Sequence, residues 1–303
     1  MVLDLGYDEN KFDLSAMVQY AIDNKIETVA ELTFKYSEEA KHGCLNARAW
    51  LKSISQVKYC KDACTQARNM NIGYIMGLSI SDIIFENGSI LEPGNARVFT
   101  KWLIYQRINH LDFINALRGL LHGTHKKSVM ILTGVQDTGK THVLKALIQL
   151  TGGVFLNWTP NSSSFWLSPA IGRKLVALDD VTFGFWQHCD HYLRSHLDGT
   201  QVTIDKKHCC PVVAKMPPII CSTNVPKEDL PKFIKNRVTI FECNYSMTKG
   251  ERCAEPHKFY FTAADLYRWL VETQNQLDLD LGNGDKENAD PDLAVSEESQ
   301  PSK

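Results

Sequence analysis

The chain has 303 residues, 44% of them hydrophobic and 22% charged, and a formal net charge of −2. That suits one large domain or two modest ones with a buried core, and no apolar run approaches the roughly 18 residues that would read as a membrane span. Nine cysteines, an odd number, follow a start that lacks a basic-then-apolar leader pattern, which predicts free thiols in a reducing compartment.

In chain order, Asp13 has the character of an N-cap, and Leu14, Met17, Val18, Ala21 and Ile22 mark one face of a first helix. Thr28 and Glu31 stand at capping-box spacing and open a second helix that runs to about Ala40. A third is predicted from about Asn46 to Asn69, with Leu51, Ile54, Val57, Ala63, Cys64 and Ala67 turned to the core. Arg48, Lys52, Lys58, Lys61 and Arg68 decorate it, either as a solvated face or as a surface that meets DNA or a neighbouring subunit. Residues 1–85 are thus expected to form a small helical module. Gly88, Pro93 and Gly94 predict a linker over 86–95.

A P-loop domain is expected over 96–276. Helices are predicted at about 96–107 and 110–121, the second with a stripe of Leu111, Ile114, Leu117, Leu120 and Leu121. Strands are predicted at Val154–Trp158, Lys174–Leu178 and Pro218–Ser222, and helices at Phe185–Leu197 and Phe261–Gln276. Gln201–Asp205 and Pro211–Lys215 have the character of two hairpin arms. Alternation of this kind predicts an α/β sheet with helices on its faces. The tail, 277–303, holds eight acids and two bases and is therefore −6, which leaves +4 on the rest of the chain. It is expected to be disordered, or to order only on a partner; the mildly basic body permits a polyanionic partner.

The chemistry centres on Gly134-Val135-Gln136-Asp137-Thr138-Gly139-Lys140-Thr141, which fits G-x-x-x-x-G-K-[ST]. An apolar run, Ser128–Leu132, precedes it, and Val143, Leu144, Leu147 and Ile148 follow at helical spacing. In that setting backbone N–H groups turn inward around phosphate oxygens at a helix N-terminus. Lys140 would reach the β- and γ-phosphates of ATP and Thr141 would ligate Mg²⁺. Asp179-Asp180 ends an apolar strand 39 residues after Lys140. One acid, Asp179 in our assignment, would hold the metal, and the other would orient or deprotonate the attacking water. Asn224 ends the next core strand and could hold the γ-phosphate or the water; an ordinary turn Asn is the plain alternative. Arg237, just before an apolar strand, is a candidate arginine finger on a neighbour's nucleotide. Lys206-Lys207-His208 form the tip of the hairpin and suit phosphate contacts in a narrow channel. His188, Cys189, His191, His208, Cys209 and Cys210 match no zinc-ligand spacing, and Cys60 and Cys64 share a helix face without a second pair.

The P-loop, the Asp pair and the Asn-ended strand fall within 91 residues, Gly134 to Asn224. That compactness resembles the superfamily 3 helicases of small DNA viruses, and within them the papillomavirus replicative helicases. Phe165-Trp166-Leu167-x-Pro169 resembles their F-W-L-x-P segment, Leu178-Asp179-Asp180 their L-D-D, and Tyr192-Leu193-Arg194-x-x-Leu197-Asp198-Gly199 their Y-L-R-N-A-L-D-G. Asp205-Lys206-Lys207-His208 resembles their D-x-K-H hairpin tip, and Pro217-Pro218-(x)₃-Ser222-Thr223-Asn224 their P-P-L-L-x-T-S-N. Upstream, Met17-Val18-Gln19-Tyr20-Ala21 and Leu51-Lys52-Ser53-x-Ser55-Gln56 resemble their helical oligomerisation region. The likeness covers about residues 12 to 280.

The resemblance implies an AAA+-like superfamily 3 fold and a homohexameric ring that hydrolyses ATP between subunits. It implies translocation on single-stranded DNA and unwinding of forked DNA during viral replication in the host nucleus. A viral origin-loading protein and host replication proteins are the partners it implies, with no membrane. Lys140, Thr141, Asp179, Asp180 and Asn224 become the cis half of the nucleotide site. Arg237, Arg194 and Lys126 become trans-acting candidates. Lys206, Lys207 and His208 become the DNA grip, with Phe165 on a second channel loop. The family's long N-terminal region and origin-binding domain are not matched here, Thr141 stands where a Ser is usual, and the loop from Val225 to Lys235 is short and divergent. The alternatives are a polyomavirus large T-like or parvovirus initiator-like motor, a P-loop nucleotide kinase, and a nucleotide-gated assembly protein that does not unwind. A basic channel hairpin argues against the last, and neither an acceptor site nor an arginine-rich lid is visible for the kinase.

Overall fold

The computed structural model describes residues 11–160, 163, 165–207, 210–248 and 260–282. The chain divides into two compact units, with the boundary between Leu78 and Ser79.

Among the described residues the first unit holds four helices: α1 (Leu14–Asp23), α2 (Val29–Lys41), α3 (Leu45–Lys52) and α4 (Gln56–Gly77). Asp13 caps α1 by accepting from the Ser15 N–H, and Thr28 caps α2 by accepting from the Glu31 N–H. Glu31 pairs with Lys35 at 2.9 Å, so only half of the expected capping box forms. Met17, Val18, Ala21, Leu32, Tyr36, Trp50, Cys60, Ala63, Cys64 and Ala67 make the core. Asn46 ties three elements: it accepts from the Asp13 N–H at 2.7 Å and donates to the Asp13 carbonyl and the Tyr36 hydroxyl, each at 2.8 Å.

The single helix expected from Asn46 to Asn69 is broken. Ser53 is extended, its hydroxyl accepts from the Ser55 N–H at 3.1 Å, and Trp50 Nε1 donates to the Gln56 carbonyl at 3.2 Å. A serine hydroxyl that competes for backbone N–H groups is a general way to interrupt a helix. The break also leaves Leu51, Ile54 and Val57 exposed rather than in the core. Two of the five basic residues on this segment are structural: Arg48 donates to the Ala40 carbonyl and Arg68 to the Glu27 carbonyl, each at 3.0 Å.

The second unit opens with α5 (Ile80–Ser89), which is closed by a Ser79–Asp82 capping box and packs on α8 (Lys140–Thr151). The expected linker 86–95 therefore begins inside a helix of this unit. Gly88 lies against the Tyr267 ring so closely that no side chain would fit, and Gly94 against the Ala264 backbone. Next come α6 (Ala96–Tyr105), α7 (His110–Leu121) and β1 (Val129–Thr133). After α8 the chain forms β2 (Val154–Phe155), β3 (Val176–Leu178), α9 (Phe183–Tyr192), α10 (Arg194–Leu197), β4 (Gln201–Ile204), β5 (Val212–Lys215) and β6 (Ile219–Thr223). The last elements are α11 (Lys232–Lys235), β7 (Thr239–Glu242) and α12 (Ala263–Leu277).

Five strands form one parallel sheet in the order β2-β3-β6-β1-β7. A parallel sheet is covered on both faces, and alternation along the strands divides the core accordingly. Met130, Leu132, Ala177 and Ile220 face a cluster built by α5–α8 and α12, whereas Val129, Ile131, Val176, Leu178, Ile219 and Cys221 face one built by α9–α11 and the hairpin. Val154–Phe155 is all that forms of the expected strand to Trp158, because the chain leaves the sheet edge to pack Trp158 on Phe185, with ring centroids 5.7 Å apart. The expected helix from Phe185 to Leu197 starts earlier and bends at Leu193 (φ −118°, ψ 11°), whose side chain is buried. β4 and β5 form the expected antiparallel hairpin. At the other end Leu279 and Leu281 are buried, and Gln274 bonds both the Leu281 N–H and the Gly282 carbonyl, so the acidic tail is docked through 282. Residues 283–303 lie outside the described residues.

Candidate active site

In a parallel sheet every strand points the same way, so the loops that follow β1, β3 and β6 share one edge. This is where open α/β sheets place ligands. The loop after β1 is the P-loop. Gly139 takes φ +89° between it and α8, and a Cβ there would come within 2.7 Å of Trp102 Nε1; a Cβ on Gly134 would fall 2.1 Å from the Cys243 carbonyl oxygen. Both glycines are therefore fixed by contact as well as by backbone angle. The loop is clamped from outside. Trp102 Nε1 and Gln106 Nε2 donate to the Thr138 carbonyl at 2.8 and 3.1 Å, and the Met247 N–H donates to the Asp137 carbonyl at 2.7 Å. Thr248 Oγ1 donates to the Asp137 carboxylate at 3.0 Å.

Lys140 is 7% exposed. Its Nζ donates to the Gly134 carbonyl at 2.9 Å, to the Val135 carbonyl and to Thr138 Oγ1 at 3.3 Å. Burial pulls its pKa below the ordinary lysine value, and the nearby Cys243, Asp180, Asp179 and Asp137 oppose that fall. The ammonium is thus held at the loop's own carbonyls, within the ring of backbone that a phosphate would enter.

Around it the structure brings together the other cis residues. Thr141 Oγ1 donates to Asp179 Oδ1 at 3.0 Å. Asn224 Nδ2 donates to Asp180 Oδ1 at 2.7 Å. Asp180 takes φ +51°, a left-handed conformation that is uncommon outside Gly, Asn and Asp and has a local energetic cost. Ser222, 2% exposed, holds it there: its hydroxyl accepts from the Asp180 N–H at 2.7 Å and donates to Asp179 Oδ1. One hydroxyl therefore orients both acids. The turns are pinned by buried threonines as well, since Thr223 Oγ1 donates to the Val181 carbonyl at 2.6 Å and Thr133 Oγ1 to the Val225 carbonyl.

These residues line an open cleft of about 390 Å³, bounded by Gln136–His142, Asp179, Asp180, Ser222, Asn224, Met247 and Tyr260. A hydroxyl and a carboxylate that already share a hydrogen bond are two hard oxygen donors at one point, the donor type magnesium takes. The cleft thus combines a buried ammonium, a glycine loop that ends at a helix N-terminus and an oxygen pair, as a nucleoside triphosphate with magnesium requires. Sequence reasoning assigned no role to Ser222, Trp102, Gln106, Met247, Thr248, His142 or Tyr260. Only Ser222 carried a signal, as a polar residue inside an apolar strand next to Asn224.

The trans-acting candidates lie elsewhere, and two of the three are engaged within this chain. Arg237, the candidate finger, is engaged within its own chain: its Nε donates to Asp198 Oδ1 at 3.0 Å and its Nη1 to the Phe233 carbonyl at 3.0 Å. Arg194 pairs with Asp190 and stacks over the Phe233 ring at 5.2 Å. Lys126 is exposed at a turn with φ +59°, and the adjacent His125 hydrogen-bonds the Asp198 carbonyl through Nδ1 at 2.9 Å. The three thus gather around Asp198 and Phe233. Lys206 and Lys207 lie beyond β4 toward the hairpin tip, Lys207 exposed, whereas His208 lies outside the described residues. Phe165 is half-buried in a turn before a short 3₁₀ helix, Ser168–Ala170. None of the described residues among these lines the cleft.

A family model described as papillomavirus helicase matches residues 9–296. Among curated relatives, the chain is 35% identical over 243 residues to the replication protein E1 of human papillomavirus 44, which covers 79% of this chain and 38% of that protein. It is 35% identical over 257 residues to replication protein E1 of human papillomavirus 15, covering 84% and 40%. The chain therefore spans about two fifths of the length of these relatives. Among solved structures, a JCV helicase with a bound acetamide compound superposes with a TM-score of 0.66 at 18% identity, over 86% of this chain and 87% of that one. That likeness speaks for the fold.

Proposed function

The chain belongs to the papillomavirus helicase family, and from that premise we propose that it is the ATP-hydrolysing motor region of a homohexameric DNA helicase, acting on single-stranded and forked DNA during viral replication. The observation that carries the reading is the convergence of five side chains on one cleft: Lys140, the Thr141–Asp179 hydroxyl–carboxylate pair, and Asp180 held by Asn224. Residues 1–78 serve as the oligomerisation module in this reading. The host nucleus is the site of action, with a viral origin-loading protein and host replication proteins as partners. Among the described residues no helix is long and apolar enough to cross a membrane.

The residues act as follows. Backbone N–H groups of Gln136–Thr141 receive the β- and γ-phosphates of ATP, and Lys140 exchanges the Gly134 and Val135 carbonyls for phosphate oxygens. Thr141 and Asp179 would hold Mg²⁺, which when bound would offset the negative charge of the phosphates. Asp180, fixed by Ser222 and Asn224, accepts a hydrogen bond from a water aligned with the γ-phosphorus and takes its proton as the water adds and the bond to the ADP oxygen breaks. Arg237, Arg194 and Lys126 stabilise the developing charge from the neighbouring subunit. Lys206, Lys207 and His208 grip the DNA backbone, and Phe165 supplies a second contact. ATP turnover measured with and without single-stranded DNA, alongside the oligomer mass, tests the reading. A hexamer whose turnover rises with DNA is expected, and a monomer with DNA-independent turnover would point to a kinase or a simple switch.

A further inference from the structure

Asp198 is used by nothing so far, yet three described elements meet on it. Its carboxylate takes Arg237 Nε at 3.0 Å, in the least exposed of the described ion pairs (26% and 20% side-chain exposure). Its carbonyl is hydrogen-bonded by His125, next to Lys126, and its N–H donates to the Arg194 carbonyl at 3.1 Å. It stands three residues before β4, so the hairpin that carries Lys207 leaves directly from it, and the segment from Asp180 to Asp198 runs through α9 and α10 alone.

A guanidinium has five N–H donors in a fixed fork. Asp198 and the Phe233 carbonyl take Arg237 through Nε and Nη1, and no described residue holds the Nη2 amino group. A carboxylate on the Nε side fixes the plane of the fork and leaves its outer edge for a phosphate, which arginine binds in a bidentate way. A half-buried ion pair of this kind is worth more in orientation than in stability.

We propose that Asp198 is the positioning residue that aims Arg237 at the nucleotide of the adjoining subunit and couples that contact to the β4–β5 hairpin. When Arg237 is drawn to a γ-phosphate, Asp198 is displaced with it, and the hairpin follows because its first strand begins three residues on. When phosphate leaves, the ion pair reforms and the hairpin returns. This rests on the trans role of Arg237 proposed above.

The test uses the full chain, with ATP and a single-stranded oligothymidine as probes, and compares Asp198→Asn, Arg237→Ala and the pair Arg237→Lys with and without Asp198→Asn. Asp198→Asn is expected to lower turnover about tenfold with KM for ATP changed less than twofold, and to bring the DNA stimulation ratio close to 1. In the Arg237→Lys background it should cost less than twofold more, because partners in one interaction are not additive. If Asp198→Asn does not assemble, Asp198→Glu, which keeps the anion but moves it, is read in its place, with at least a threefold loss of turnover and the same flat stimulation. Wild-type turnover and stimulation in the variant that assembles, with Arg237→Ala inactive, would overturn the role of Asp198 alone. So would a full multiplicative loss in the Arg237→Lys background. An active Arg237→Ala ring would remove the trans-arginine reading itself, and this inference with it.

Discussion

Ser222→Ala is a demanding test of the site because the hydroxyl is buried, contacts no nucleotide in our account, and serves both acids. Its loss removes one charge-assisted bond to Asp179 and leaves the Asp180 N–H without its acceptor. Asp179 is exposed, so water can replace its bond at a net cost of about 1 kcal/mol, while an orphaned N–H costs about 1–2 kcal/mol. The sum, about 2–3 kcal/mol, corresponds to a fall in Tm of about 4–12 °C for a unit of this size. Asp180 also loses half of what holds it at φ +51°. About 1.4 kcal/mol of lost orientation in the transition state is tenfold in rate, so kcat should fall at least tenfold with KM for ATP little changed. Scanning calorimetry and steady-state ATPase measurements read the two effects. A Tm within about 1 °C of wild type with undiminished kcat would refute the reasoning, since the hydroxyl would then be orienting neither acid.

Other outcomes follow from the same geometry. Asp179→Asn should raise the magnesium concentration needed for half-maximal turnover by at least tenfold, and chelation by EDTA should abolish turnover; an unchanged magnesium titration would exclude Asp179 as a ligand. Lys140 acts only when protonated, and its pKa is already depressed by burial, so turnover should fall as pH rises through that lowered value. Asp137→Asn removes one of the charges that oppose the depression and should move the alkaline limb of the pH–rate profile to lower pH; a limb that stays or moves up would contradict this. In rings shown to exchange subunits, mixing Arg237→Ala with Lys140→Ala should restore turnover at interfaces that pair an intact Lys140 with an intact Arg237, and no rescue at any ratio counts against a trans role. Lys207→Ala should keep the hexamer mass but lose single-stranded DNA binding and unwinding, and unwinding at the wild-type rate would pass the grip to another element, Phe165 first.

Much of this was legible locally. The P-loop, the strand-ending acids, Asn224, the hairpin and the Asp13 and Thr28 caps each follow from residues close in sequence, where spacing carries the geometry. The features that sequence reading missed are nonlocal or depend on competition. Trp102 and Gln106 reach Thr138 from more than thirty residues upstream, and no periodicity announces such a bond. Ser222 stands out as a polar residue in an apolar strand, but what it bonds is set only when β3 lies beside β6. The helix break at Ser53 and the bend at Leu193 are decided by side chains that find better partners off the helix axis. The ion pair that engages Arg237 is not legible in the sequence because Asp198 lies 39 positions away. The docked residues 278–282 look solvent-bound from their charge, yet Leu279 and Leu281 alternate with the acids and reach the core.

The cleft is proposed to drive DNA unwinding. Its most direct test is strand separation on a forked duplex with ATP and magnesium, comparing the wild-type chain with Lys140→Ala at matched ring concentration. We predict ATP-dependent unwinding by the wild type and none by Lys140→Ala. Equal unwinding by both, or ATP hydrolysis by the wild-type ring with no strand separation, would contradict the account.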